Sequence, residues 1–459
     1  MRLILKAVKW LLVLLIVAVV AAGVWLSVAP PDLIRVATGY TAKIVCSNVF
    51  IAGRDAEDVL AIDVQAPGHP ILKYVSVDVD GDAKTVKAGL FGLFGGGLAV
   101  ARDGYGCASV PDGDIAALPV MPPAATVAPR TSGIWPDGIA VEPSQDPDIA
   151  SILDDPAMTG PGMRAVVVVQ NGRIVGERYG DGFSADTPLL GWSMTKSVTA
   201  AIIGTLIKEG KLAHDGSALF PPWKGDARGT IKLDDLMAMS SGLEFNEDYG
   251  DVTDVTRMLY LEPDMAAFAE NKPLVGDVGK AWNYSTGTTV LLSRLWQDAA
   301  GDAASGLPRK ALFDPIGMTS AVLETDARGT FVGSSYLYAT ARDWARFGQF
   351  ILQDGVWKGT EILPPGYVAW MHEEAPASKG EYGKGQVWLH GPSAGTPDGE
   401  DPDKGFDMPA DAFWFLGHDG QSIAVIPSKK LVVVRLGLTP STLGYKSQGM
   451  VAALAKLAG

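Results

Sequence analysis

From Trp10 to Ala29 the chain carries no charged residue, and Ser27 is its only plainly polar side chain. At about 1.5 Å per helical residue such a run matches a hydrocarbon layer of about 30 Å. Arg2, Lys6 and Lys9 precede it. Positive charge stays cytoplasmic, so residues 1–30 are expected to form a single-pass signal-anchor in the inner (cytoplasmic) membrane, with the rest on the periplasmic or extracytoplasmic side. The competing reading is a cleaved signal peptide. Ala21, Ala22 and Gly23 favour cleavage; the length of the run and Pro30-Pro31 after Ser27-Val28-Ala29 favour retention.

Beyond the anchor the periodicity changes. Ile71 to Val79 alternates apolar residues with Lys and Asp, and Gly89 to Val100 is glycine-rich, so residues 31–115 read as a small β-rich region. Gly92, Gly95, Gly96 and Gly97 lack dinucleotide-binding spacing and no P-loop lysine follows, which leaves turns and bulges. Residues 116–136 gather Pro119, Pro122, Pro123, Pro129 and Pro136 among small residues, the composition of a semi-rigid linker. Residues 137–459 then suit one large domain without internal repeats. Within it, Arg164–Gln170, Asn171-Gly172 and Arg173–Tyr179 form a hairpin pattern, because Asn-Gly tolerates the positive φ of a tight turn. Ser422–Ile426 and Leu431–Leu436, joined by Pro427–Lys430, form a second, followed by a helical Gly449–Leu457. Strands, then helices, then strands predict an α/β chain of the α+β type: an antiparallel sheet flanked by helices.

Composition narrows the function. A chain of 459 residues, 47% hydrophobic and 20% charged, folds around a large core. Its 38 Lys plus Arg against 52 Asp plus Glu give a net charge of −14, which opposes phosphate-backbone binding and makes nucleic acid a poor partner. The 2 cysteines are too few for a disulfide framework and lack zinc-site spacing, although export would place Cys46 and Cys107 where they can pair. No His-Glu-x-x-His site occurs. His372-Glu373-Glu374 reads as a solvated helix face, and His69 and His214 receive no role.

Three segments carry candidate chemistry. Gly191-Trp192-Ser193-Met194-Thr195-Lys196 runs into an apolar helical stripe, so Ser193 opens a buried helix and Lys196, three residues on, shares its face. A serine hydroxyl needs a base, and a lysine near a helix N-terminus within a core loses affinity for its proton. The bland alternative is a serine N-cap beside a solvated lysine. Trp282-Asn283-Tyr284-Ser285-Thr286-Gly287 leads into a second apolar helix, and Tyr284 could relay a proton, its phenol acidified by the nearby ammonium, or be a core tyrosine. Gly417-His418-Asp419-Gly420-Gln421 lies at the start of a strand of the C-terminal hairpin. Its glycine would admit substrate to the backbone, and the N–H of Gln421 with that of Ser193 would form an oxyanion hole. An ordinary turn with a surface histidine explains it equally.

In this order the three segments resemble the serine β-lactamase and penicillin-recognising hydrolase superfamily, nearest its class C-like esterase and amidase branch, which includes 6-aminohexanoate-dimer hydrolases. The resemblance covers roughly residues 135–459. Leu236–Leu243, Ile316–Met318 and Ala339–Gly348 look like scaffold landmarks of the same family. The resemblance implies a β-lactamase/transpeptidase-like fold with an all-helical lobe beside the sheet, an acyl-enzyme on Ser193, Lys196 and Tyr284 as the acid/base pair, and no cofactor or metal. Two departures narrow the substrate. Tyr284-Ser285-Thr286 stands where Tyr-x-Asn is frequent, and His418-Asp419-Gly420 where penicillin-recognising members have Lys-Thr-Gly, so Asp419 would repel an antibiotic's carboxylate. The expectation is a serine hydrolase of small ester or amide substrates, with His418, Asp419 and Gly420 lining the substrate site. Alternatives within the class are a β-lactamase or a D-amino-acid peptidase; outside it, a non-catalytic cell-wall peptide or ligand-binding protein.

Overall fold

The computed structural model describes residues 2–123, 127, 131–397 and 399–459. Pro129 of the expected linker lies outside them. Helix α1 (Arg2–Val28) buries none of its side chains and reaches a mean hydropathy of 2.9, long and apolar enough to cross a membrane, as a signal sequence also is.

The chain divides into two compact units. The first comprises Met1–Ala101, Cys107–Ala116 and Asp248–Pro263. In it α2 (Asp32–Phe50) accompanies a four-stranded meander of β1 (Val75–Asp80), β2 (Thr85–Leu90), β3 (Phe94–Arg102) and β4 (Gly106–Ser109). The alternation over 71–79 foreshadows β1, although Pro70–Tyr74 is a 3₁₀ turn and the strand begins at Val75. Nothing in the pattern announces α2. Its sequence is rich in β-branched and small residues, and burial of Ala37, Thr41, Ala42, Val45 and Cys46 decides its conformation over propensity. The short helix Asp254–Leu261 joins α2 through an edge-to-face Tyr40–Tyr260 contact, 5.6 Å between centroids, and an Arg257–Asp32 ion pair at 2.7 Å. A disulfide joins Cys46 to Cys107, both fully buried.

The second unit holds α3 (Pro147–Asp154), β5 (Met163–Gln170), β6 (Arg173–Tyr179), α4 (Met194–Lys208), α5 (Thr286–Ala300), α6 (Ala341–Leu352), β7 (Phe413–Gly417), β8 (Gln421–Ile426), β9 (Leu431–Gly437) and α7 (Gln448–Leu457). Its five-stranded sheet runs β7-β8-β9-β5-β6, every pairing antiparallel. The β5–β6 turn takes the expected mirror-image form, with Asn171 at φ 51° and Gly172 at φ 76°. The strands β8 and β9 are buried at every position because both faces are covered. On one face Val166, Val168, Ala424 and Val433 pack with Ile149 and Leu153 of α3 and with Met450 and Leu454 of α7. On the other lies α6, whose Phe347 meets Phe415 with centroids 5.4 Å apart. This sheet and the helical segments α4 and α5 give the α+β fold that the pattern predicts. The free edge of β7 is where chemistry gathers.

Candidate active site

Ser193 precedes the first turn of α4 in helical conformation, and its side chain makes no capping hydrogen bond. The hydroxyl is therefore not spent on the helix. The preceding Trp192 sits at φ 47°, a left-handed conformation that costs a non-glycine residue of order 1–3 kcal/mol and recurs where a side chain must be aimed. One turn on, Lys196 is 1% exposed, and its Nζ lies 3.1 Å from Ser193 Oγ, 3.1 Å from Thr286 Oγ1 and 3.1 Å from the Ser334 carbonyl oxygen. Burial lowers its pKa to about 8, against an opposing pull from the Glu247 carboxylate.

Tyr284 reaches the same point from the entrance of α5, whose start is set by Ser285 accepting from the Thr288 N–H at 3.0 Å. Its ring lies 4.9 Å from Lys196 Nζ, and the Ser193 hydroxyl and the Trp388 indole act on its phenol. The expected acidification is reversed. Burial, reinforced by the Glu247 charge, pushes Tyr284 far above an ordinary phenol, so at neutral pH it holds its proton. Trp282, Tyr284, Tyr382 and Trp388 form one aromatic cluster, with Tyr284–Trp388 centroids 5.0 Å apart.

The third segment is the hairpin loop between β7 and β8. Gly417, the last residue of β7, lies so close to Gly191 that a Cβ there would stand 2.3 Å from the Gly191 carbonyl oxygen. Only glycine permits this approach, which lays His418 over Trp192 with ring centroids 5.6 Å apart. Gln421 does not take the place expected of it. The Trp414 N–H and C=O bond outward to Trp388, at 2.8 and 2.9 Å. Alternation along an antiparallel ladder then makes Gly417 and Gln421 a mutually bonded pair and turns the N–H of Gln421 into the hairpin. Its side chain is pinned too, with Nε2 on the Gly437 carbonyl at 2.6 Å. By the same parity the N–H of Leu416 and of His418 face the free edge. Gly420 also turns inward, its carbonyl accepting from buried Arg435 at 2.9 Å. Asp419, at φ 56°, shapes the loop, its carboxylate 3.5 Å from His418 Nε2.

Sequence reasoning missed Glu247. Its carboxylate accepts from the Thr286 N–H at 2.7 Å and from the Thr286 hydroxyl, and burial raises its pKa while Lys196 and His418 pull it down. In Leu243-Glu244-Phe245-Asn246-Glu247-Asp248 it is indistinguishable from the acidic residues around it. Ser334 contributes only a carbonyl, which no residue type signals. Thr286, a departure from Tyr-x-Asn, is a ligand of Lys196. Among the described residues His390, Asp401 and Asp403 could together face a cation, but His390 already bonds Asp403 at 3.0 Å, and Asp403 also accepts from the Gly391 N–H and Gln448.

A profile of the beta-lactamase family matches residues 155–445, more than half of the chain. The 6-aminohexanoate-dimer hydrolase of Paenarthrobacter ureafaciens is 23% identical over 301 residues, which are 60% of this chain and 72% of that relative. A solved Bacillus anthracis structure, described as a candidate 6-aminohexanoate-dimer hydrolase, shares the fold with a TM-score of 0.54 at 24% identity, covering 71% of this chain and 87% of that one. A penicillin-binding protein homologue from Caulobacter crescentus does so with a TM-score of 0.52 at 14% identity, covering 69% of this chain and 99% of the other. With the serine-lysine pair at the head of α4, the sheet edge beside it and this profile match, the chain belongs to the beta-lactamase family.

Proposed function

We propose that this protein is a serine hydrolase that cleaves small amides or esters through an acyl-enzyme on Ser193. The observation that carries the reading is a fully buried lysine with its pKa lowered to about 8, 3.1 Å from a serine hydroxyl that caps nothing. As Ser193 Oγ bonds to the substrate carbonyl carbon, its proton passes to the lone pair of Lys196. The carbonyl oxygen becomes an oxyanion between the backbone N–H groups of Ser193 and, in place of Gln421, of His418 on the free sheet edge. When the tetrahedral intermediate collapses, the bond to the leaving nitrogen or oxygen breaks and Tyr284 supplies its proton. Tyr284 then recovers one from the Lys196 ammonium, so the net transfer is from Ser193 to the leaving group. Water repeats the cycle on the acyl ester and frees Ser193. The likeness to 6-aminohexanoate-dimer hydrolase, together with Asp419 where a carboxylate-binding cation would serve a penicillin, favours linear amides or neutral esters over β-lactams.

The test is labelling by a fluorophosphonate probe, followed by assays with p-nitrophenyl esters, short linear amides and a chromogenic cephalosporin. Labelling of the wild type and its loss in Ser193→Ala support the reading. A folded wild type that is not labelled favours a ligand-binding role, and fast cephalosporin turnover refutes the argument from Asp419. We also propose that α1 is a retained anchor with the hydrolase unit on the export side, a reading that the Cys46–Cys107 disulfide supports. Mass spectrometry of the mature N-terminus checks it; a start beyond Ala22 refutes it.

A further inference from the structure

The four-stranded meander of the first unit ends in two turns of opposite chemistry. Between β1 and β2 the turn is acidic, with Asp80 and Asp82 exposed and Asp78 exposed beside them. At the other end of the same strands, where Val75 pairs with Leu90, the β2–β3 turn is apolar. There Phe91 is 62% and Leu93 76% exposed, and Tyr74, 58% exposed, meets Phe91 with ring centroids 5.5 Å apart. The backbone of this turn does not suit its residues. The Leu93 N–H bonds the Leu90 carbonyl at 3.0 Å across Phe91 at φ 53° and Gly92 at φ 72°, a mirror-image hairpin turn whose first central place favours asparagine or glycine. A bulky side chain at positive φ is strained, and a ring held in water adds little to the core. Resting on the reading of α1 as a retained anchor, we propose that Tyr74, Phe91 and Leu93 insert into the headgroup boundary of the bilayer that α1 crosses, as a second point of membrane contact.

The packing of α2 fixes which end of the meander faces the bilayer. α2 starts at Asp32, four residues after α1 ends at Val28. Gly95, next to the apolar turn, lies against the first turns of α2: a Cβ there would stand 2.8 Å from Thr38 Oγ1 and 2.9 Å from Ile34 Cγ2. Two residues further along β3, Gly97 lies against Thr38 and Gly39. Val110 donates to the Leu98 carbonyl at 2.8 Å, so Cys107, three residues earlier in the returning β4, is level with the far end of β3. Its disulfide partner is Cys46, near the end of α2. Helix and strand thus run side by side in one direction, and moving toward the turn means moving toward the start of α2. Ile34 and Thr38 lie about 3 and 9 Å along α2 from Asp32, and Leu93 lies two extended residues, about 6.6 Å, back from Gly95. The turn therefore comes level with Asp32, the end from which the chain passes to α1. Trp25, exposed in the last turn of α1, marks the same interface, where aromatic rings are favoured. The acidic turn lies at the far end of the strands. Continuity with the end of α1 makes the bilayer, and not a protein partner, the occupant of this patch.

The experiment places the full chain in phospholipid vesicles. Both cysteines of the chain are taken up in the disulfide, so Leu93→Cys supplies a single thiol for an NBD fluorophore. Its emission is expected to shift to the blue and to be quenched by phospholipid that carries a doxyl group near the headgroup. The same fluorophore on Asp82→Cys, in the acidic turn, should emit as it does in water and escape quenching. Tyr74→Cys is a second reporter within the patch, and serves alone if Leu93→Cys does not fold. Adding Phe91→Asn and Leu93→Asn to the Tyr74→Cys reporter should abolish most of its quenching, because the native side chains and not the fluorophore drive insertion. Asparagine suits the backbone at position 91, so the urea midpoint of that variant in detergent should not fall. Quenching that is equal in the patch and at position 82, or that survives the two asparagines, overturns the proposal. A blue shift without quenching by lipid does so too, since a protein then covers the patch. A chain that fails to float with the vesicles refutes the anchor on which the proposal rests, and is thereby distinct from a floating chain whose turn stays in water.

Discussion

The depressed pKa of Lys196 has a thermodynamic signature that activity assays cannot imitate. Its ordinary value is 10.5 and its value in the fold about 8, so between those limits the unfolded chain binds a proton that the folded one does not. Stability contributed by this residue therefore rises with pH across that window, and below pH 8 the fold carries the full penalty of holding a buried ammonium. Lowering from 10.5 to about 8 corresponds to roughly 3 kcal/mol, undiscounted because the side chain is almost wholly buried. Lys196→Met removes the titration and keeps the volume. It also strips Thr286 Oγ1 and the Ser334 carbonyl of a donor, at about 1–3 kcal/mol each, but that loss is the same at every pH. The quantity to measure is thus the change with pH of the difference in unfolding free energy between wild type and variant. From urea titrations of both proteins at pH 7 and pH 10, the variant is expected to be relatively more stable at pH 7 by roughly 2–3 kcal/mol. A difference that is flat with pH would mean that Lys196 titrates as an ordinary lysine. The proposed general-base role of Lys196 would then fail.

Other expectations follow from single distances. In the proposed mechanism Tyr284→Phe removes the acid but not the nucleophile, so turnover of linear amides should drop about 10²- to 10⁴-fold, whereas p-nitrophenyl esters, whose leaving group departs unprotonated, should suffer less; equal losses would refute the assignment. Gly417→Ala places a Cβ 2.3 Å from the Gly191 carbonyl, where backbone must move, and a shift of about 1 Å at the sheet edge should lower kcat/KM about 100-fold with the circular dichroism retained. Reduction of Cys46–Cys107, which closes a separation of 61 residues, should cost about 4 kcal/mol of stability on the chain-entropy account, read from urea unfolding with and without reductant. Unchanged unfolding on reduction would show that the loop is held by packing alone.

The features legible in the sequence are local. The Asn171-Gly172 turn, the C-terminal hairpin, the apolar helices behind Ser193 and Tyr284, and the three-residue spacing that puts Lys196 over Ser193 are written in contiguous residues, because φ preferences and the 3.6-residue period act over one or two turns. The apolar length of α1 is legible for the same reason. The electrostatics and the sheet edge arise from long-range packing instead. Whether Lys196 is neutral depends on burial among Thr286, Ser334 and Glu247, which are distant in sequence, and one of them acts through a backbone carbonyl that any residue would supply. Tyr284 went the opposite way from its expected acidification because desolvation and the Glu247 carboxylate outweigh the lysine. Gln421 and His418 differ by three positions, yet only strand pairing shows that one amide is turned into the hairpin and the other toward the cleft, since a ladder's parity is a property of two strands and not of either sequence.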